Sequence, residues 1–288
     1  MHAPFDGKIV WRALVALLGI GFACAAYIYL TLPDVRVLRT QNPQTTAFIE
    51  LRARQAIERG EQPRRVQRWV PYARISQHLK RAVIVTEDAD FWDHDGIDFQ
   101  QLKESMETNL ERMEFARGGS TITQQLAKNL YLSPSKNPIR KARELLIARR
   151  LEAELSKQRI LELYLNVIEW GKGIYGAEAA ARTYFGKSAA ELTSQESALL
   201  AAAIFSPRVL DPSRPVAMLR RRQDMILRRM GAITPPPVIV EPFSPESLPG
   251  VPVEPVLPAS EGAPAVLPGE VVPTAKPGAK PPGPPGVH

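Results

Sequence analysis

The chain opens on one long apolar run. From Ala13 to Leu32 no side chain is charged, and twenty helical residues span ~30 Å, about the hydrocarbon thickness of a bilayer. Lys8 and Arg12 stand just before the run, Arg36 and Arg39 just after it. The nearer N-terminal charges favour a cytoplasmic segment over 1–12, with the rest of the chain exported. A cleaved signal peptide has an apolar region of only ~7–15 residues and a small-residue cleavage site, whereas this run is longer and ends in Tyr27-Ile28-Tyr29-Leu30. Lipoprotein cleavage before Cys24 is disfavoured by Gly21, which stands where a branched aliphatic residue is expected. The pattern predicts one uncleaved transmembrane helix over 13–32.

Beyond it the apolar positions recur at helical spacing. A helix is expected after Thr45-Thr46, ending near Gly60, and Arg68-Trp69-Val70-Pro71 reads as a short extended segment. Ser76 can cap a helix running through Val85. Asp98 starts another, with Phe99, Leu102, Met106 and Leu110 on one face. The loop Arg117-Gly118-Gly119-Ser120 leads into a helix from Thr121 to about Tyr131. Pro138 suits the first turn of the next, which runs to Leu155, and Ser156 caps one through about Ile168. Thr193 with Glu196 forms a capping box ahead of Ala198 to Phe205. Alternating apolar–polar runs are few and there is no internal repeat, so the body from about 42 to 231 is mainly α.

Composition divides the chain again. Seventeen of its 27 prolines fall between Pro235 and Pro285. The segment 234–288 has no periodicity and cannot bury enough apolar surface to offset its ordering entropy, so it is expected to be disordered. That tail carries five Glu and two Lys, leaving +10 for the remainder against +7 overall. A basic body suits an anionic partner: nucleic acid, phospholipid headgroups or a phosphorylated substrate. The single cysteine, Cys24, excludes intramolecular disulfides and cysteine-rich metal sites.

Three constellations carry chemistry. The stretch from Glu87 to Gly96 holds five acids and His94 beside Phe91 and Trp92. A carboxylate against apolar rings has its charged form disfavoured, which makes it a usable base near neutrality. A metal site is the weaker reading, because only one histidine is nearby. Next, Gly118-Gly119-Ser120-Thr121-Ile122-Thr123-Gln124-Gln125 combines glycines that admit close backbone approach with a helix N-terminus that favours anions. Ser120 can cap that helix, and Gln124 and Gln125 add neutral donors for hydroxyls or phosphate. Finally, Lys128, Lys136, Arg140, Lys141 and Glu144 gather, with Arg140 and Glu144 four apart on one face. Alone, that pair reads as a surface ion pair worth tenths of a kcal/mol; the sharper alternative has the cations holding a diphosphate while Glu144 orients them or binds a metal.

In order, these segments resemble the family 51 glycosyltransferases, the peptidoglycan polymerases found alone or joined to a penicillin-binding domain. Glu87-Asp88 with Phe91, His94 and Gly96 is similar to that family's first motif, Gly118 to Gln125 to its second, and Arg140-Lys141 with Glu144 to its third. Lys157, Ile160-Leu161-Glu162 and Tyr164-Leu165-Asn166 resemble the fourth. Gly171, Gly173 and Gly176-Ala177, continuing to Tyr184-Phe185-Gly186-Lys187, resemble the segment after it. The resemblance covers roughly 42–231 and departs at Ala203-Ile204-Phe205-Ser206-Pro207, where the family often has Leu-Pro before its final Pro motif.

The resemblance implies a lysozyme-like fold with a large lobe and a smaller membrane-proximal lobe. It implies polymerisation of lipid II by attack of the acceptor 4-hydroxyl on the donor anomeric carbon, with inversion from α to β and release of undecaprenyl diphosphate. Glu87 is then the general base. Lys128, Lys136, Arg140 and Lys141 hold the diphosphate, with Glu144 orienting them or a divalent cation (Mg or Mn). Asp88, Phe91, His94, Ser120, Thr121, Gln124 and Gln125 are carried over as substrate-binding, with no organic cofactor. The implied setting is the periplasmic face of a bacterial inner membrane, with lipid II and the nascent strand as partners, penicillin-binding or division proteins as further ones, and no nucleic acid. Two other readings compete: a lysozyme-like lytic enzyme using one acid, and an anchored scaffold recruiting partners through its tail. Ser133-Pro134-Ser135-Lys136 has the spacing of a transpeptidase nucleophile, but no Lys-Thr-Gly follows, so the enzyme is expected to be monofunctional.

Overall fold

The computed structural model describes residues 7–99, 103, 119–135 and 137–232. Most of the helix expected from Asp98, together with Gly118, Lys136 and the tail from Thr234, lies outside them.

Among the described residues there are nine α-helices and one small sheet. Helix α1, Gly7–Leu30, contains most of the expected anchor. Leu32 beyond it is already buried against the core. Among the described residues no helix is long and apolar enough to cross a membrane, so the anchor over 13–32 stands on the sequence pattern.

Helix α2, Ala47–Glu58, begins where Thr46 accepts a hydrogen bond from the Ile49 N–H at 3.1 Å. Helix α3 is Gln77–Glu87, capped by Ser76. Helix α4, Ile122–Tyr131, is capped by Thr121 and not by Ser120, because the Thr121 hydroxyl accepts from the Gln124 N–H at 3.2 Å. Helix α5, Pro138–Glu154, has Asn137 as its cap and proline in its first turn, where the missing N–H costs nothing. Helix α6 is Lys157–Val167, α7 Ala177–Phe185, α8 Ser194–Ala203 and α9 Ala217–Ala232.

Helix α6 forms the centre. Ile160, Leu161, Leu163, Tyr164 and Leu165 are all fully buried, and past its first turn only Glu162 keeps part of its surface open. It packs on α4, α5 and α7, while α3 packs on α8 and α9. The core of the described residues is continuous from Leu32 to Met230.

A three-stranded sheet that the sequence pattern did not announce lies at one end. Its strands are β1, Val66–Gln67, β2, Glu169–Gly171, and β3, Ile174–Tyr175, in the order β1-β3-β2. β1 runs parallel to β3 and β2 antiparallel. Strands of two or three residues are too short to show alternation. The extended segment expected over 68–71 pairs with a side chain instead. Buried Asn166 donates to the Val70 carbonyl at 2.9 Å and accepts from its N–H at 3.0 Å, mimicking a neighbouring strand and tying β1 to the end of α6.

Candidate active site

Helix α3 continues two residues past its expected end, so Glu87 is its last helical residue and Asp88 its C-cap. The chain then turns through residues 88–96. Asp88 is buried and both its oxygens are used: one meets His94 Nε2 at 2.9 Å, the other accepts the Ile122 N–H at 2.9 Å. His94 Nδ1 accepts from the Gly96 N–H at 3.1 Å, so the proton facing Asp88 sits on Nε2. Asp88 thereby joins the end of α3 to the start of α4.

Gly96 closes the turn at φ +80°, and the Gly96 carbonyl accepts from the Thr121 hydroxyl at 2.7 Å and Gln124 Nε2 at 3.2 Å. Phe91 is fully buried, edge-on to Trp92 with centroids 5.1 Å apart, and the Lys157 ammonium lies 4.7 Å over its ring. Lys157 also donates to the His94 carbonyl and, at 2.9 Å, to Glu152 Oε1. The two motif loops are therefore bolted to each other and to α5 and α6 by groups that mostly face inward.

Glu87, unlike its buried neighbour Asp88, keeps part of its surface open. Burial pushes its carboxyl pKa up, against a hydrogen bond from Gln125 and the charges of Arg222 and Lys128, which pull it down. Gln125 Nε2 donates to Glu87 Oε2 at 2.8 Å, and Gln125 Oε1 accepts from the Tyr164 hydroxyl at 2.9 Å. Burial keeps Tyr164 in its neutral, donating form. The arrangement is a carboxylate whose affinity for a proton is raised, held by a neutral donor and faced by cations.

Lys128 lies one turn beyond Gln124 on α4. Burial lowers its pKa, with the charges of Glu144 and Glu87 acting in the opposite sense, so Lys128 is felt by both acids. Buried Glu144 receives Arg140 on one oxygen and Lys141 on the other. Lys141 also donates to Gln124 Oε1 at 2.9 Å and reaches Ser120 Oγ at 3.5 Å. Arg140 Nε is buried and has no hydrogen-bond partner, a cost that an incoming anion would remove.

The structure thus brings Glu87, Gln125, Lys128, Arg140, Lys141 and Glu144 into one electrostatic neighbourhood, with Ser120 at its edge. Asp88, Phe91, Thr121 and Gln124 are buried beneath it. One cation escaped the sequence reading. The charge of Arg222 on α9 acts on Glu87, with its guanidinium 4.8 Å over the Phe205 ring and its Nε buried without a partner. Nothing in the run Arg220-Arg221-Arg222 singles it out; only the packing of α9 on α3 does.

Among the described residues, Asp88, His94 and Asp98 present ligand atoms within 4.8 Å of one another, a spacing that could hold a metal. Asp88 and His94 already spend those atoms on the hydrogen bonds above. Glu144 is equally committed, to two cations, and its surroundings are positive. Neither set fits a divalent cation.

The model of a family described as Transglycosylase matches residues 54–231. The chain is 48% identical over 191 residues to the biosynthetic peptidoglycan transglycosylase of Herminiimonas arsenicoxydans, covering 66% of this chain and 83% of that one. To the protein of that name from Nitrosospira multiformis it is 42% identical over 232 residues, 81% of this chain and 100% of the relative. For Dechloromonas aromatica the figures are 48% over 195 residues, 68% and 84%. The mainly helical body, the acid at the end of α3, the cation cluster on α4 and α5, and these likenesses lead to one conclusion: the chain belongs to the transglycosylase family, as a monofunctional family 51 glycosyltransferase of peptidoglycan synthesis.

Proposed function

We propose that the chain polymerises lipid II into β-1,4 glycan strands by a single inverting displacement. The acceptor 4-hydroxyl oxygen attacks the donor anomeric carbon, Glu87 takes the hydroxyl proton, and the bond from that carbon to the diphosphate oxygen breaks. The leaving diphosphate carries away the electron pair, so its growing charge needs cations already in place. Lys128, Arg140 and Lys141 fill that role, joined by Lys136, with Glu144 fixing the directions of Arg140 and Lys141. Asp88, Phe91, His94, Thr121 and Gln124 act by holding these groups in position, and Ser120 and Gln125 face the substrate. No step runs through a metal ion.

The observation that carries this reading is the position of Lys128 between two acids of different kind. Glu87 has few donors and a raised pKa, as a base requires; Glu144 is saturated by cations, as an orienting group requires. A lytic enzyme of similar fold needs an acid but no anion clamp, and the unpartnered Arg140 Nε favours the polymerase.

The proposed setting is the periplasmic face of an inner membrane, with α1 as the anchor and a smaller membrane-proximal lobe beside it. The charge-free run Ala13–Leu32 and the exposure of Leu17, Leu18, Ile20, Phe22 and Leu30 support this. Penicillin-binding or division proteins are the proposed protein partners, and nucleic acid is not one. The direct test is polymerisation of purified lipid II by detergent-solubilised protein, with Glu87→Gln beside it. Strands from the parent protein alone are expected; strands of equal yield from both would remove Glu87 from its role.

A further inference from the structure

Arg65, Gln67 and Trp69 are alternate residues of the extended segment around β1, so they share one face of it. With Asn42, Pro43 and Gln44 they line a cavity of about 410 Å³, within the size range of ligand pockets. The cavity is separate from the reacting groups. On α6 the Tyr164 side chain reaches Gln125, while Asn166, whose side chain clasps Val70, lies ~200° further round the helix. The extended segment is therefore on a different side of α6 from the residue that holds Glu87.

Its walls are fixed from behind. Gln67 Oε1 accepts from Arg65 Nε at 3.2 Å and Nη2 at 2.7 Å, and Gln67 Nε2 donates to the Asn166 carbonyl at 3.0 Å. Arg159 donates to Asn42 Oδ1 at 2.8 Å, which orients that amide and leaves its Nδ2 as a donor. Trp69 is half-buried and packed on the core, with the Arg159 guanidinium 5.8 Å over its ring. Trp170 Nε1 donates to the Leu165 carbonyl at 3.4 Å, but among the described residues no acceptor meets the Trp69 indole N–H. Arg65 has no carboxylate partner among them either. Its bonds go to Gln67 and the Gln44 carbonyl, which leaves Nη1 over. None of the lining residues is acidic.

We infer that this cavity is a saccharide site, which takes an amino-sugar unit of a β-1,4 glycan strand away from the reacting centre. The choice of strand rests on the proposed polymerase activity. A pyranose ring has apolar C–H faces and a rim of hydroxyl oxygens, and the two need different surroundings. A flat aromatic face packs on the first, and donors set round its edge bond to the second. Trp69 supplies the face. Asn42 Nδ2, Arg65 Nη1 and the Trp69 N–H supply the donors. A bare phosphate would gain nothing from the ring, and an apolar ligand would cover the guanidinium without pairing it.

The test titrates the detergent-solubilised full chain with chitotetraose, a β-1,4 tetramer of N-acetylglucosamine, by calorimetry, with lipid II polymerisation run beside it. Trp69→Ala should weaken binding about tenfold or more, and Arg65→Ala about threefold or more. Trp69→Phe, which keeps an aromatic face, should stay within about threefold of the parent chain. Glu87→Gln and Arg140→Glu should bind as the parent does. Trp69 packs on the core, so if Trp69→Ala unfolds, the exposed Arg65 decides, and unchanged affinity in Arg65→Ala would sink the inference. Binding lost in Glu87→Gln or Arg140→Glu but kept in Trp69→Ala would put the sugar at the reacting centre and overturn it. A parent chain that polymerises lipid II yet binds no tetramer would also overturn it, with the polymerase reading intact. Tetramer binding that depends on Trp69 and Arg65, in a chain that makes no polymer, would keep the saccharide site and remove the polymerase reading.

Discussion

Gln125 offers Glu87 its amide N–H and not its amide oxygen, because Tyr164 holds the other end. The Tyr164 hydroxyl donates to Oε1 at 2.9 Å, leaving Nε2 to donate to Glu87 Oε2 at 2.8 Å. A turned amide would set its oxygen against a carboxylate. Two residues of α4 and α6 thus decide how strongly a residue of α3 holds its proton.

A pH dependence follows. Burial raises the Glu87 pKa and the Gln125 hydrogen bond lowers it. A base works only when deprotonated, so polymerisation should fall as pH drops through that pKa. Gln125→Leu removes the donor, raises the pKa further and should move the acid limb of kcat/KM to higher pH. Tyr164→Phe, which frees the amide to turn, should shift the limb the same way by less. An acid limb that stays put in both variants would separate it from Glu87.

Glu87→Gln should lower turnover about 10²–10⁴-fold, the usual share of a positioned base. It should also stabilise the fold. With the folded pKa above the unfolded one, ionised Glu87 costs stability. The cost is absent at pH below the unfolded pKa and complete above the folded pKa. The variant should therefore melt higher at neutral pH, about 2–4 °C for each kcal/mol relieved, and the gain should vanish under acid conditions. Calorimetry at two pH values checks both the sign and the window.

In the clamp, Glu144 and its cations predict different losses. Glu144→Gln leaves Arg140 and Lys141 without their shared partner. Misplaced cations should cut turnover by about 10²-fold. Arg140→Glu should instead weaken donor binding by roughly tenfold or more. Donor titration of the purified variants separates the two, and unchanged donor affinity in Arg140→Glu would count against a diphosphate at this site.

Gly96 tests the turn beneath the motif. At φ +80° an added Cβ would come within 2.9 Å of Glu152 Cγ, and Glu152 is fixed by Thr123 at 2.6 Å and Lys157 at 2.9 Å. Gly96→Ala should cost about 1–2 kcal/mol for the backbone alone, read as a lower melting temperature. An unchanged melting temperature would mean that the turn relaxes freely.

Much of this was legible in the residues because it is local. The caps at Ser76, Ser156 and Thr193 each depend on one side chain and the N–H groups two or three residues away, and proline in the first turn of α5 depends only on its own ring. The same locality makes the Arg140–Glu144 pair readable, since helical geometry puts residues four apart on one face. The acid-rich turn at 87–96 stood out by composition alone. What required the tertiary structure is whatever joins distant segments. The Asn166 clasp on Val70 crosses 96 residues and the Asp88 bond to Ile122 crosses 34, while Arg222 reaches Glu87 only because α9 packs on α3. Spacing carries no trace of such contacts, because burial and charge at a point in space are sums over every element that meets there. The sequence by itself therefore determined which groups are available, where each helix starts and what family they spell. The packed fold decided which acid is desolvated and which is saturated, and that difference separates a base from a brace.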